Sequence, residues 1–154
     1  MADIFEALKN DHKVAKDIMR VLENTEGASK ERQENYPKLV RELLAHAKAE
    51  ERTLYHAMLG SADSQDEATH SIKEHKEMED AMKEVSDTEM SSSQWLPKFR
   101  ELKELVEHHV KEEEQEIFEA AREVLSTSKQ NELGAMYEKE KAVEDKKDRS
   151  DFLP

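Results

Sequence analysis

His109 and Glu113 stand four residues apart in the stretch Leu102 to Val124, LKELVEHHVKEEEQEIFEAAREV. Apolar residues recur around them at helical spacing: Phe99, Leu102 and Val106 before, Ile117, Ala120 and Val124 after. The same three- and four-residue steps carry that stripe over His109 and Glu113. Residues four apart differ by about 40° around a helix, so both side chains leave one face. A carboxylate on an apolar seam must be neutralised, paired or bound to a metal, because burying it alone costs several kcal/mol. An imidazole beside it supplies a nitrogen donor, and the pair is a candidate metal site.

His-x-x-x-Glu alone is a weak signal here, since it also occurs at His70/Glu74, His75/Glu79 and His108/Glu112. Repetition strengthens it. Shifting His109 and Glu113 back by 63 residues gives His46 and Glu50, in LLAHAKAEERTLYHA. The same offset pairs Glu114 with Glu51, Ile117 with Leu54, Phe118 with Tyr55, Phe99 with Tyr36 and Leu102 with Leu39. It also carries His75 onto His12, within Glu74-His75-Lys76 and Asp11-His12-Lys13. The chain reads as a duplicated helical hairpin, each copy holding a lone His and then His-x-x-x-Glu. The offset also separates neighbours: it maps His109 onto His46 but His108 onto Ala45. His108 is turned about 100° off the seam, so His108 and Glu112 are expected in solvent.

The elements that must hold these residues are helices. Asp3 with Glu6 forms a capping box for the first, whose stripe is Ile4/Phe5, Leu8, His12, Ala15, Met19 and Leu22, ending near Gly27. Ser29 caps a second that runs to Met58 and stops at Gly60, with Pro37 expected to kink it or to set off a short first turn. Its stripe is Tyr36, Leu39, Leu43, His46, Glu50, Leu54 and Ala57, and His56 falls outside it. The third carries Ala68, Ile72, His75, Met78, Met82 and Val85, with His70 off the stripe and the two methionines read as core filler. The fourth starts near Trp95 and Leu96, with Pro97 tolerated in its first turn. Glu112, Glu114 and Glu116 read as a solvated acidic face. Ser126 to Ser128 cap a fifth helix over about Lys129 to Asp145, which would lie on the others through Leu133, Met136, Tyr137 and Val143. Lys146 to Pro154 is charged and expected to fray.

The expected fold is all-α: an up-down-up-down four-helix bundle over residues 1–125, followed by an additional C-terminal helix and tail over residues 126–154. Composition agrees. With 36% hydrophobic and 40% charged residues, three glycines and three prolines, the chain suits helices with a narrow apolar stripe. A net charge of −13 opposes nucleic-acid phosphates and anionic lipid, and no apolar run is long enough to span a bilayer. With no cysteine there is neither a disulfide nor a thiolate ligand. MADIFEALKN opens on a helix signal without a cleavable leader, so a cytoplasmic location and a monomer or weak homo-oligomer are expected.

The inward set is then His12, His46, Glu50, His75, His109 and Glu113. Four imidazoles and two carboxylates exceed what one zinc ion takes and suit two first-row ions, two histidines on each and both carboxylates bridging. Positions remain for a bridging oxygen (oxo or hydroxo) and an exogenous small molecule. Two non-haem iron ions are preferred, manganese next and zinc third. No separate catalytic side chain stands out. A ferritin-like di-iron oxidase would need two Glu-x-x-His motifs, and only Glu67-x-x-His70 fits. Without metal, the six residues would have to satisfy one another in the core.

The pattern His12 … His46-x-x-x-Glu50 … His75 … His109-x-x-x-Glu113 resembles the hemerythrin-like, HHE cation-binding domain family over roughly residues 3 to 125. The resemblance implies a non-haem di-iron centre that reacts with dioxygen, peroxide or nitric oxide, or senses iron and oxygen. Oxygen-carrying hemerythrins have His-x-x-x-His on the third helix, where Glu79 follows His75 here. They have His-x-x-x-x-Asp on the fourth, where Glu114 stands beside Glu113. Lacking the fifth terminal histidine, this chain is expected to offer an open centre rather than reversible oxygen carriage. Two roles follow: a peroxide-decomposing or iron-centre repair enzyme, or a sensing or binding module without turnover.

Overall fold

The structure, a computed structural model, describes residues 2–153. Met1 and Pro154, at the outer ends of the two segments expected from sequence, lie outside the described residues. The described residues are helical and contain no strand. Asp3 caps α1 (Ile4–Glu23), its carboxylate accepting from the Glu6 amide at 2.9 Å, and Ser29 caps α2 (Lys30–Glu50) in the same way through the Arg32 amide. The helix α2 runs through Pro37 without a break, so the expected separate first turn is not formed. A π-helical turn (Glu51–Tyr55) and the short α3 (His56–Leu59) complete the second rod. Then come α4 (Gln65–Ser86), α5 (Trp95–Glu112), a second π-helical turn (Glu113–Ile117), α6 (Phe118–Val124) and α7 (Thr127–Glu144). Among the described residues no helix is long and apolar enough to cross a membrane.

The apolar stripes build two clusters rather than one continuous core. One gathers Met19, Leu22, Tyr36, Leu39, Met82, Val85, Trp95, Phe99 and Leu102. The other gathers Ile4, Phe5, Leu8, Leu54, Tyr55, Met58, Ile117, Phe118, Leu133 and Tyr137. Along α1 the chain passes from the second cluster to the first, and α2 returns. The helix α4 passes over again and α5 returns once more. His12, His46, Glu50, His75, His109 and Glu113 occupy the layer between the clusters, all buried.

The first π turn starts just after Glu50 and the second at Glu113 itself, and each adds one residue to the helical turn. The expected stripe therefore shifts by one position beyond it. Tyr55 and Met58 are buried and Ala57 only half-buried; Phe118 and Ala121 are buried where Ala120 and Val124 were expected.

The helix α7 packs against α1 and α2. It starts at Thr127, two residues earlier than expected, and its buried face is Leu133, Gly134, Tyr137 and Glu144. Met136 and Val143, expected on that face, are exposed. Gly134 lies on the start of α1: a Cβ there would collide with the Ala2 carbonyl oxygen and reach 2.8 Å from the Asp3 carbonyl carbon. The charged tail does not fray. Leu153 is buried in the first cluster, Phe152 packs beside it, and Lys83 Nζ donates to the Asp151 carbonyl at 2.6 Å.

Gly134→Ala should lower the thermal midpoint, because the backbone overlap costs about 1–3 kcal/mol and outweighs the roughly 1 kcal/mol an alanine contributes to a helix interior. A midpoint that stays level or rises in thermal unfolding would show that α7 does not seat on the start of α1.

Candidate metal centre

The six residues expected from sequence come together from four helical stretches, His46 with Glu50 and His109 with Glu113 each sharing one. Glu50 and Glu113 are wholly buried, and the four histidine residues are at most 8% exposed. Glu50 Oε1 lies 3.4 Å from His46 Nε2 and 3.3 Å from His75 Nε2. Glu113 Oε1 lies 3.0 Å from His12 Nε2, and its Oε2 lies 3.3 Å from His109 Nε2. His75 Nε2 and His109 Nε2 face each other at 3.1 Å. The donors divide into two overlapping groups, Glu50, His75, His109 and Glu113 in one and His12, His46 and Glu113 in the other.

The outward nitrogens are engaged elsewhere. His12 Nδ1 pairs with Glu114 at 2.7 Å, His75 Nδ1 with Glu51 at 2.9 Å, and His109 Nδ1 with Glu74 at 2.8 Å. His46 Nδ1 meets the Tyr137 hydroxyl at 2.8 Å, which in turn donates to Asp11 Oδ2 at 2.5 Å. A proton on each Nδ1 satisfies all four contacts and leaves each Nε2 lone pair aimed inward. The inward set is close together but poorly hydrogen-bonded: His12 Nε2, both oxygens of Glu50 and Glu113 Oε1 have no hydrogen-bond partner. Buried polar atoms are rarely left so. Nitrogen lone pairs and carboxylate oxygens converging within one apolar layer fit a cation between them.

The electrostatics point the same way. Burial disfavours a charged His46, but the Glu50 carboxylate, Asp11 and Glu113 outweigh it and push its pKa up to about 10. At His109 burial is likewise overcome by Glu113, Glu74 and Glu50, and the pKa rises to about 10. Glu113 is held well below the usual carboxylate range: burial opposes this, and His109 and His12 prevail. The layer demands positive charge, which protons or metal ions can supply in competition.

The outer carboxylates were missed in the sequence. Glu114, read as part of a solvated face, and Glu51 tie down the two lone histidines; Glu74 and Asp11 stand behind the other two. Their signal was present, because the 63-residue offset carries Glu51 onto Glu114 and Asp11 onto Glu74. Outer partners of this kind fix ring orientation and raise ligand basicity. The tyrosines gave no such signal. Tyr55 donates a hydrogen bond to Glu113 Oε2, whereas its repeat partner is Phe118 and Glu50 receives nothing equivalent. His108 and His70 are exposed, as expected, and so is His56.

A cavity of about 20 Å³ adjoins the four imidazoles and is otherwise bounded by Ala15, Leu43, Met78, Val106 and Val110 among others. Leu43, Ala47, His75 and Met78 also line a surface groove of about 190 Å³ between α2 and α4, with Glu79 and Lys76 along it. Glu79 faces this groove and no fifth imidazole joins the layer.

Residues 3–121 match the family described as Hemerythrin HHE cation binding domain. The chain belongs to that family. It is similar to a protein of Nostoc sp. named DNA nickase, with 27% identity over 128 residues. That match takes in 81% of this chain but 35% of the relative, so the chain spans about a third of the relative's length. The fold is that of the crystal structure of a hemerythrin HHE cation binding domain-containing protein from Mycobacterium kansasii, with a TM-score of 0.84 at 24% identity. That comparison covers 94% of this chain and 88% of the other. The buried histidine and carboxylate cluster lies within this cation-binding domain.

Asp11 gives this centre a pH signature in the metal-free protein. Burial raises its pKa, but contacts with His46 and Tyr137 and the charge of Lys141 hold it down at about 2, below the usual 3.8. A depressed carboxyl stabilises the fold above its unfolded pKa and loses that stabilisation as pH falls through the folded value. Metal-free protein should therefore lose on the order of 2 kcal/mol between roughly pH 4 and pH 2 through this group alone. Asp11→Asn should be flatter over that window in acid-denaturation measurements; an unchanged slope would remove Asp11 as the source.

Proposed function

We propose that this chain is a non-haem dinuclear iron protein whose centre takes a small diatomic or peroxide ligand. The observation that carries the reading is the convergence of four Nε2 atoms on two carboxylates, with every Nδ1 tied outward. His75 and His109 would hold one ion, His12 and His46 the other, with Glu50 and Glu113 shared. Imidazole and carboxylate donors favour iron over zinc in a six-residue set, with manganese the next fit. We place this centre in an up-down-up-down four-helix bundle, with α7 as an additional helix on α1 and α2.

Such ions, when bound, supply redox change and a binding position for an oxygen-containing ligand. The chain's residues do the rest. The apolar walls exclude bulk water, and about 20 Å³ admits one water-sized molecule and no organic substrate. The groove between α2 and α4 offers small ligands a way to His75. Glu79 at the groove, in place of a ligating histidine, leaves one ion with fewer protein donors, which favours reaction over reversible carriage. Peroxide decomposition is the enzymatic form of this reading. A net charge of −13 works against nucleic-acid binding, and the activity in the Nostoc relative's name is not transferred to a chain spanning a third of it.

Protein loaded anaerobically with ferrous iron and then desalted should retain two tightly held ions per chain. His109→Ala should lose most of that iron and His108→Ala should keep it. Equal losses from the two substitutions, or one ion or none in the parent, would overturn the dinuclear reading. After oxidation, azide or peroxide should add a new near-ultraviolet or visible band. A spectrum indifferent to a large excess of azide would mark a coordinatively closed centre with a structural role.

A further inference from the structure

Two His-x-x-x-Glu pairs that the central layer does not use meet on the outside of the molecule. His70 and Glu74 lie one turn apart on α4, and His108 and Glu112 one turn apart on the neighbouring α5. His70 Nε2 is 2.7 Å from Glu112 Oε1 and 3.4 Å from Glu74 Oε2. His108 Nε2 is 3.1 Å from Glu112 Oε2 and 3.7 Å from Glu74 Oε2. Ligands around a tetrahedral ion at about 2.1 Å stand roughly 3.4 Å from one another, the scale of these imidazole–carboxylate separations. Donor atoms of His70, Glu74 and Glu112 all lie within 4.8 Å of one another, and His108 reaches the same two carboxylates from outside that group.

This is more than an acidic patch. Two imidazoles, from different helices, aim the same nitrogen at the same two carboxylates. The 63-residue repeat has no counterpart for it, since the equivalent positions are Ala7, Asp11, Ala45 and Ala49. Its placement is also particular. Glu74 presents Oε1 to His109 Nδ1 at 2.8 Å and Oε2 to the outer imidazoles, so one carboxylate joins the surface group to the central layer.

We propose that His70, Glu74, His108 and Glu112 form a separate, exchangeable site for a divalent first-row cation, linked to the central layer through Glu74. Imidazole with carboxylate at tetrahedral spacing selects zinc or ferrous iron over magnesium or calcium, which take oxygen donors. His70 and His108 are exposed, so an ion reaches the site directly from solvent. The site stands on its own geometry, and only its numbering as a third ion rests on the dinuclear reading.

Zinc is the probe, being redox-silent. Metal-free protein and the His70→Ala/His108→Ala double variant are titrated with Zn2+ under equilibrium dialysis. Ring resonances of His70 and His108 are followed by NMR in the parent. The parent should bind one ion more per chain than the double variant, with both rings shifting in that weaker step. Equal stoichiometry in parent and variant, or rings that do not move, overturns the site. Excess magnesium should not displace the weaker zinc; displacement would overturn the assigned class. If the extra ion and ring shifts are present but the double variant retains fewer than two ions, the outer site stands and the dinuclear reading falls. Both residues are on the surface, and matching circular dichroism of the two proteins establishes that the variant is folded.

Discussion

Two carboxylates lie in the middle of an apolar helical core, and the arrangement around them follows from that. Glu50 and Glu113 are wholly buried, close to each other and to four imidazoles. Two like charges in such a place are tolerable only with positive charge between them and donors held in position. The outer ring of Glu51, Glu74, Glu114, Asp11 and Tyr137 performs the second task, fixing each imidazole by its far nitrogen. The two apolar clusters above and below keep water out and bind the helices where the polar layer cannot.

The central layer was legible in the sequence because two signals with different inputs agreed. Helical periodicity put His109 and Glu113 on the seam, and the internal repeat put His46 and Glu50 in the same relation. Periodicity failed one turn later. A stripe extrapolated at 3.6 residues per turn selects Ala57 and Ala120, while the structure buries Tyr55, Met58, Phe118 and Ala121. The π turns cause the slip, and nothing in local composition announces a wider turn. They are placed where the helix must aim a glutamate inward and then present a bulky aromatic residue on the same side, and π turns are common where side chains must be re-aimed for function.

The outer ring was illegible for a different reason. Thirty-seven of the residues are acidic, so a further Glu beside a ligand carries little information by itself. Hydrophobic patterning makes Tyr137 an apolar contact of a fifth helix, and its aromatic body does pack there. Its hydroxyl, however, completes the link between His46 and Asp11, a polar role that hydrophobic patterning cannot register. In the tail, charge suggested fraying, but Phe152 and Leu153 near its end are enough to dock it beside Trp95 and Val85.

The repeat brings two near-equivalent halves together, and they differ at one telling position. Tyr55 sits beside His75 and donates to Glu113 Oε2; Phe118 sits beside His12 and has nothing to donate. A hydrogen bond withdraws electron density from the oxygen that accepts it, so the half containing His75 and His109 is the poorer electron donor. The difference sits on a single carboxylate, whose Oε2 accepts from Tyr55 and whose Oε1 has no hydrogen-bond partner. The change from phenol to phenyl thus leaves the two halves of a duplicated layer chemically unequal.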